Sequence, residues 1–350
     1  MVIQKNKINE ILKGYDKSNL TLASVCSHSS LQIFKGAKEE GFKTLGLLTN
    51  KNFSKIYKAF PKGAPDEFIE AERFNKSLIN ELIEKNTVLI PSGSLVEYFG
   101  DSIIDLKLPI MGNRASLIYE KNRLKMYEWL KKAGLNLPVI LDPDKIDRPC
   151  MVKHSGAKGG RGYSIVHSPE EYYQKYGDKK DLIVQEFIVG VRIYPHYFYS
   201  PLSKEGYEAG EGHIELLSMD RRLESNVDES YRTILAGVPI KASFTVMGNE
   251  PAVLRESLLL DILEMGKNVV EAAYKLFGPI PGPFCLELIC NENLEFYAFE
   301  ISSRIVAGTN LFPDGSFYSV YTNYNMSTGR RIAVEIKQAA KLNKLNKIIF

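Results

Sequence analysis

Val152-Lys153-His154-Ser155-Gly156-Ala157-Lys158-Gly159-Gly160-Arg161-Gly162-Tyr163 begins as an apolar, strand-like run ending in lysine, and a second apolar strand, Tyr163 to Val166, leaves it. Between the two, residues 155–162 hold four glycines and two further cations. The pattern reads as a hairpin with a cationic tip. Glycines let backbone N–H groups close on an anion without interference from a Cβ, and lysine supplies a point charge for phosphate. The spacing fits neither the dinucleotide fingerprint, which leads into a helix, nor the Walker pattern, which ends in Lys-Ser/Thr. Taken alone, such a loop is weak evidence, and a plain surface turn is the alternative.

Upstream, the chain alternates strands and helices. Ile8 to Lys13 reads as a short amphipathic helix, Leu20 to Cys26 as a buried strand, and Leu31 to Ala37 as a helix ended by Gly41. A strand at Thr44 to Leu48, a helix over Glu67 to Lys85 and a strand at Val88 to Ile90 follow, so a parallel sheet is expected. Two polar turns leave these strands, Ser27-His28-Ser29-Ser30 and Pro91-Ser92-Gly93-Ser94. Open α/β sheets bind ligands at such strand ends, and hydroxyls with free N–H groups at a helix start suit a phosphate monoester. The serines of the first turn would serve equally well as helix caps.

From Glu120 the pattern becomes one helix with Leu124, Tyr127, Leu130 and Ala133 near helical spacing, after which strand content rises. A domain boundary is expected near residue 115, giving an N-terminal α/β domain over 1–115 and a second domain over 116–350. The latter divides into 116–190, with the glycine-rich loop, and 191–350. Within it lie a helix at Pro169 to Tyr176, strands at Leu182 to Ile188, Tyr194 to Tyr199 and Ile214 to Met219, an exposed turn at Ser203 to Gly212, and a long helix at Val253 to Leu276.

Phe284 to Cys290 and Leu294 to Ile301 form a hairpin carrying Glu287 and Glu300. With a two-residue turn at Glu292-Asn293, Glu287 faces Ala298 and Glu300 faces Cys285, making the carboxylates diagonal neighbours on one face. Apolar flanks make their burial costly without a cation, and carboxylate plus phosphate oxygens are what Mg²⁺ prefers. Outward-facing glutamates on a half-exposed sheet are the alternative. Arg304, four residues past Glu300, is placed to reach an anion from the same strand.

With 44% hydrophobic and 25% charged residues the 350-residue chain is that of an ordinary globular protein. Its net charge of +3, spread over 45 cationic and 42 anionic side chains, argues against a nucleic-acid partner, and no apolar run reaches membrane-helix length. A cytoplasmic location is expected. Cys26, Cys150, Cys285 and Cys290 lie in apolar runs without CxxC spacing and read as buried free thiols.

The order of lysine with glycine-rich loop, Gln185-Glu186-Phe187-Ile188-Val189-Gly190, and the glutamate hairpin ending Glu300-Ile301-Ser302-Ser303-Arg304 resembles the ATP-grasp superfamily from about Asn122 onward. The resemblance implies an ATP-grasp fold behind a Rossmann-like α/β domain. It implies that Lys153 and Arg123 touch phosphate, that Gly156, Gly159, Gly160 and Gly162 close over it, and that Glu186, Phe187 and Ile188 present backbone to adenine. Glu287 and Glu300 would hold Mg²⁺ or Mn²⁺, with Ser302 where the family usually has a third ligand, Asn.

Over nearly the whole chain, Ser27-His28-Ser29-Ser30-Leu31, Lys35-Gly36-Ala37, Gly112-Asn113-Arg114, His196 to Pro201, Met219-Asp220, Glu224-Ser225-Asn226, Arg255-Glu256-Ser257 and Gly282 to Cys285 resemble the archaeal formate-dependent FAICAR synthetases. Those enzymes join formate to the amine of the ribonucleotide AICAR in purine biosynthesis, splitting ATP to ADP and phosphate. The likeness implies that His28 and Ser29 help hold AICAR, with Ser94, Asp220, Asn226 and Arg255 beside the nucleotide or formate, and Arg304 on the acyl phosphate. It also implies a homo-oligomer. Two positions depart from the family: Ser92 stands where it usually has His, and Val306-Ala307 where it usually has Asp-Gly. A related ligase with another acceptor, or a non-catalytic purine-nucleotide-binding protein, are the alternatives these departures raise.

Overall fold

The computed structural model describes residues 2–27, 29–154, 163–179, 182–224, 226, 230–237, 243–322 and 325–350. The glycines at 156, 159, 160 and 162, their expected closure over phosphate, and His28 lie outside the described residues. Three sheets organise the chain. β1 (Thr21–Val25), β2 (Lys43–Leu48), β3 (Glu67–Glu70) and β4 (Thr87–Leu89) form a parallel sheet in the order β3-β2-β1-β4. β1 is buried throughout and β2 at all but its first residue, whereas the edge strand β3 is largely exposed. The expected helix over 67–85 is instead β3 followed by a helix at Lys76–Glu84. Glu67–Glu70 extends the sheet edge against Leu45–Leu48, and the Asn75 side chain, accepting from the Leu78 N–H, starts the helix later.

β5 (Ile140–Leu141), β6 (Cys150–His154), β7 (Ser164–Val166) and β8 (Leu182–Glu186) make an antiparallel sheet ordered β5-β8-β6-β7. β6 and β7 are the two arms of the expected hairpin, with Cys150 opposite Val166. The largest sheet runs β10-β11-β9-β13-β14, built from β9 (Val191–Ser200), β10 (Tyr207–Ala209), β11 (Gly212–Glu224), β13 (Gly282–Cys290) and β14 (Phe296–Ser302), with β12 (Val246–Pro251) on β11. β10 lies inside the segment expected to be only a turn. The long helix starts at Leu259, not Val253, because Arg255 is extended and the Leu254 N–H is taken by the Tyr318 hydroxyl at 2.8 Å. The helix expected from Glu120 is two helices, Arg114–Lys121 and Arg123–Lys132, broken at extended Asn122, whose side chain caps the second. That break turns Leu124 outward and buries Arg123.

The helix Thr328–Lys341 returns to the first domain. It packs on Ser30–Glu39 so closely that a Cβ on Gly36 would lie 2.3 Å from the Arg330 nitrogen. Ile332, Ala333, Ile336 and Ala339 thereby join Ile8, Ile33, Phe34 and Val88 in one core. Arg331, buried, bridges Glu215 and Glu335, while Arg114 spends its guanidinium on the carbonyls of Ile103, Leu106 and Leu108 and on the Phe350 oxygen. All four cysteines are free; Cys290 is half-buried and the others buried. No helix among the described residues is long and apolar enough to cross a membrane.

Candidate active site

The carboxylate hairpin differs from its expected register. The turn is longer, with Leu294 at φ 65°, and a bulge between Glu287 and Leu288 shifts the pairing, so Glu287 lies directly opposite Glu300. Directly paired like charges repel more than diagonal ones, and here Glu287 is buried and Glu300 half-buried. Burial, followed by the Glu287 charge, pushes the Glu300 carboxyl up to about 7, against the pull of Arg123, Arg222 and Lys153. Arg222, on β11, reaches across β9 to Glu287 with Nη1–Oε2 at 2.9 Å and Nη2–Oε1 at 2.7 Å, stacking 4.1 Å from the Tyr194 ring centroid. The sequence reading passed over Arg222. Its parity with Asp220 along β11 was the available signal, since alternate residues share a face.

Lys153, at the end of the hairpin arm, is buried with Nζ 2.8 Å from Gln185 Oε1, which also accepts from the Tyr127 hydroxyl at 2.7 Å. Burial, then the nearby Arg123 charge, brings its ammonium down to about 8, and Glu300 and Glu287 oppose the shift. Arg123 is buried, with Nε and Nη1 lacking a hydrogen-bond partner among the described residues. Orphaned guanidinium nitrogens inside a protein are costly unless an anion completes them.

A cavity of about 420 Å³ opens between the second and third sheets. Its lining joins apolar Phe187, Ile188 and Phe299 to charged Lys153, Glu287 and Glu300. The volume and mixture suit a ligand with a flat apolar ring and an anionic tail. Glu186 commits its carboxylate to Arg148 and the Val139 N–H, so toward the cavity it offers backbone. The linker then passes against β13: a Cβ on Gly190 would sit 2.3 Å from the Cys290 oxygen.

Arg304 and the N-terminal turns meet nearby. A bridge between Ser92 and Ile305 joins the Pro91-Ser92-Gly93-Ser94 turn to the chain after β14, and the Arg304 guanidinium lies 3.4 Å from where a Gly93 Cβ would be. Glu120 holds this end of the strand, accepting from Arg304 Nη2 at 2.9 Å and from the Ser303 N–H and hydroxyl at 2.9 and 3.2 Å. Nothing local marks Glu120 in the sequence, because its partners lie about 180 residues away. The hydroxyls of Ser29 and Ser92 are buried without partners among the described residues, and Ser94 is buried beside them in the chain. Val306 packs with Tyr194 and Cys285.

Three other expected residues are not among those lining the cavity. Asp220 is not part of the cavity lining; it accepts from His196 Nε2 and Asn249 Nδ2, both at 2.6 Å, beneath Gly308. Asn226 accepts from the Ser243 N–H at 2.7 Å, and Arg255 is exposed before the long helix.

Glu287 and Glu300 fit a hard divalent cation. They offer two directly paired carboxylates, one buried and one half-buried, and no group of three or more His, Cys, Asp or Glu that could hold a metal occurs among the described residues. Such a pair leaves the remaining coordination to phosphate and water, as Mg²⁺ prefers.

A sheet with a lysine-based hairpin, a carboxylate-bearing sheet facing it across a cavity, and a preceding parallel-sheet domain define an ATP-grasp protein. An IMP biosynthesis protein PurP from Thermococcus kodakaraensis superposes with a TM-score of 0.74 at 28% identity, over 94% of this chain and 100% of that one. N5-carboxyaminoimidazole synthetase from Staphylococcus aureus complexed with ADP shares the fold, with a TM-score of 0.63 at 15% identity, over 92% and 79%. Residues 171–350 match a family described as a domain of unknown function (DUF1297), and residues 22–141 one described as a protein of unknown function (DUF1246). The 5-formaminoimidazole-4-carboxamide-1-(beta)-D-ribofuranosyl 5'-monophosphate synthetase of Methanococcoides burtonii is 49% identical, covering 99% of this chain and all of that one. Its counterpart from Korarchaeum cryptofilum is 43% identical over the full length of both. The chain belongs to this synthetase family.

Proposed function

We propose that the protein is an ATP- and formate-dependent ligase that forms FAICAR, the 5-formamido ribonucleotide, from AICAR in purine biosynthesis. One observation carries the reading: Lys153 and the Glu287–Glu300 pair line one cavity in a chain 49% identical, end to end, to an enzyme named for this product. A carboxylate oxygen of formate attacks the γ-phosphorus of ATP, the bond to the β-phosphate oxygen breaks, and ADP leaves with formyl phosphate formed. The acceptor amine then attacks the formyl carbon, releasing inorganic phosphate and a proton.

Each step is driven by position and charge, with no side-chain nucleophile. Lys153 and Arg123 neutralise charge that develops on the transferred phosphoryl group. Phe187 and Ile188 receive the adenine ring, whose edge meets the linker backbone. Arg304, clamped by Glu120, holds the acyl phosphate close to Gly93. Ser29, Ser92 and Ser94 supply the unspent hydroxyls of the acceptor side. Mg²⁺ bound by Glu287 and Glu300 would draw charge from the phosphates.

A different acceptor remains the second reading, because Ser92 and the buried Val306 stand where the family usually carries His and Asp. ADP release measured with formate plus AICAR, against other carboxylates and amines, separates the two. Turnover with AICAR is expected, and its absence overturns the first reading.

A further inference from the structure

The chemistry proposed above leaves Arg222 without a task, although it makes the closest contact to a site carboxylate. Its guanidinium takes both oxygens of Glu287, at 2.7 and 2.9 Å. A divalent cation needs those same oxygens, so the two cannot be served at once by the same lone pairs. Arg222 arrives from two strands away, over the ring of Tyr194 on β9, and its side chain also lines the nucleotide cavity with 21% of its surface exposed. It therefore has somewhere to go. Lys153 points its ammonium at Gln185, so it does not take over the Glu287 contact.

We propose that Arg222 is a positioning residue, the resident counter-ion of the Glu287–Glu300 pair, which keeps a lone divalent cation out and yields its place when the cation arrives with its nucleotide. The inference rests on the reading of Glu287 and Glu300 as metal ligands. It makes metal and nucleotide entry coupled, since each helps displace the same ion pair, and such coupling is reciprocal.

The test uses the full-length protein without nucleotide and Mn²⁺ as the probe, with free Mn²⁺ followed by electron paramagnetic resonance. Arg222→Gln should bind Mn²⁺ at least tenfold more tightly than the wild type, with Arg222→Lys between them. The gain in Mn²⁺ affinity that ADP brings should shrink in Arg222→Gln. Removing the guanidinium leaves two facing carboxylates, so the variant's thermal midpoint should fall and be restored by Mn²⁺ alone. A merely structural ion pair would give the fall without the rescue. Unchanged or weaker Mn²⁺ binding by Arg222→Gln, or an unrescued midpoint, overturns the proposal. Glu287→Gln with Glu300→Gln, probed with Mn²⁺ and ADP together, separates the two layers. If that variant binds the pair as the wild type does, the metal assignment fails and this inference with it; if binding is lost but Arg222→Gln shows no gain, the inference about Arg222 alone fails.

Discussion

Replacing Glu120 with Gln should cripple the acyl-transfer half of the reaction while sparing nucleotide binding. Glu120 carries three contacts at once: Arg304 Nη2 on one oxygen, and the Ser303 N–H and hydroxyl on the other. An amide keeps a single acceptor, so either Arg304 or Ser303 loses its partner. The Glu120 side chain is 7% exposed and that of Arg304 18%, which places the loss largely out of water. A hydrogen bond to a charged group removed in such a setting costs ~1.5–3 kcal/mol, and 1.4 kcal/mol is about tenfold in rate. The expected fall in kcat/KM for formate is about ten- to a hundredfold, carried by kcat if Arg304 grips the acyl phosphate more firmly than formate itself. ADP affinity, by calorimetry, should stay within about twofold, because Glu120 is not part of the nucleotide cavity's lining. A variant that folds with the wild-type thermal midpoint and turns over at the wild-type rate would refute the role given to the Glu120–Arg304 pair. An equal loss of ADP binding would show that the ion pair supports the fold at large.

Glu287→Gln combined with Glu300→Gln should abolish metal-dependent ATP turnover; residual turnover at the wild-type rate would mean the metal sits elsewhere. The pH dependence has a definite sign. Glu300, raised from 4.5 to about 7, keeps a proton that the unfolded chain releases, so its contribution to stability falls as pH rises between those values, and metal binding must expel that proton. Mn²⁺ affinity should therefore climb up to about tenfold per unit below pH 7 and level off above it. Calorimetry at pH 6 in buffers of different ionisation enthalpy should show proton release, and none would contradict the shift. Gly190→Ala puts a methyl 2.3 Å from the Cys290 oxygen, so the linker must move; ADP binding should weaken and stability fall by ~1–3 kcal/mol, and unchanged affinity would remove the linker from the adenine site. Gly36→Ala, 2.3 Å from the Arg330 nitrogen, should lower the denaturation midpoint by a similar energy while leaving ADP affinity intact, and an unchanged midpoint would mean the two helices are not in backbone contact.

Where the sequence carried the answer locally, it was legible. The arms of the Lys153 hairpin, the helix Pro169–Tyr176 and the buried parallel strands follow from period, turn chemistry and capping within a few residues. Readings that depended on non-local information fell short. Glu67–Glu70 has helix-forming glutamates at both ends and becomes a strand because β2 offers an unpaired edge. The carboxylates face each other directly because a bulge and a left-handed Leu294 reset a register that residue spacing alone could not fix. Glu120 and Arg222 went unnoticed for the converse reason: a single acid in one helix and a second arginine in a strand acquire meaning only from partners 183 and 65 residues away.

The balance of charge at the cavity supports the roles proposed for these two residues. Lys153, Arg123 and Arg222 surround only two carboxylates, and one of the two is shifted toward its neutral form. The site is thus short of negative charge, which a polyphosphate would supply, while a bound divalent cation would favour the ionised form of Glu300. Arg304 stands apart with its own acid, Glu120, at the junction with the N-terminal turns. In the proposed mechanism the two sites are thus compensated separately, Glu287 by Arg222 and Arg304 by Glu120. That separation is what allows a loss at Glu120 to slow the second step while the first site keeps its nucleotide.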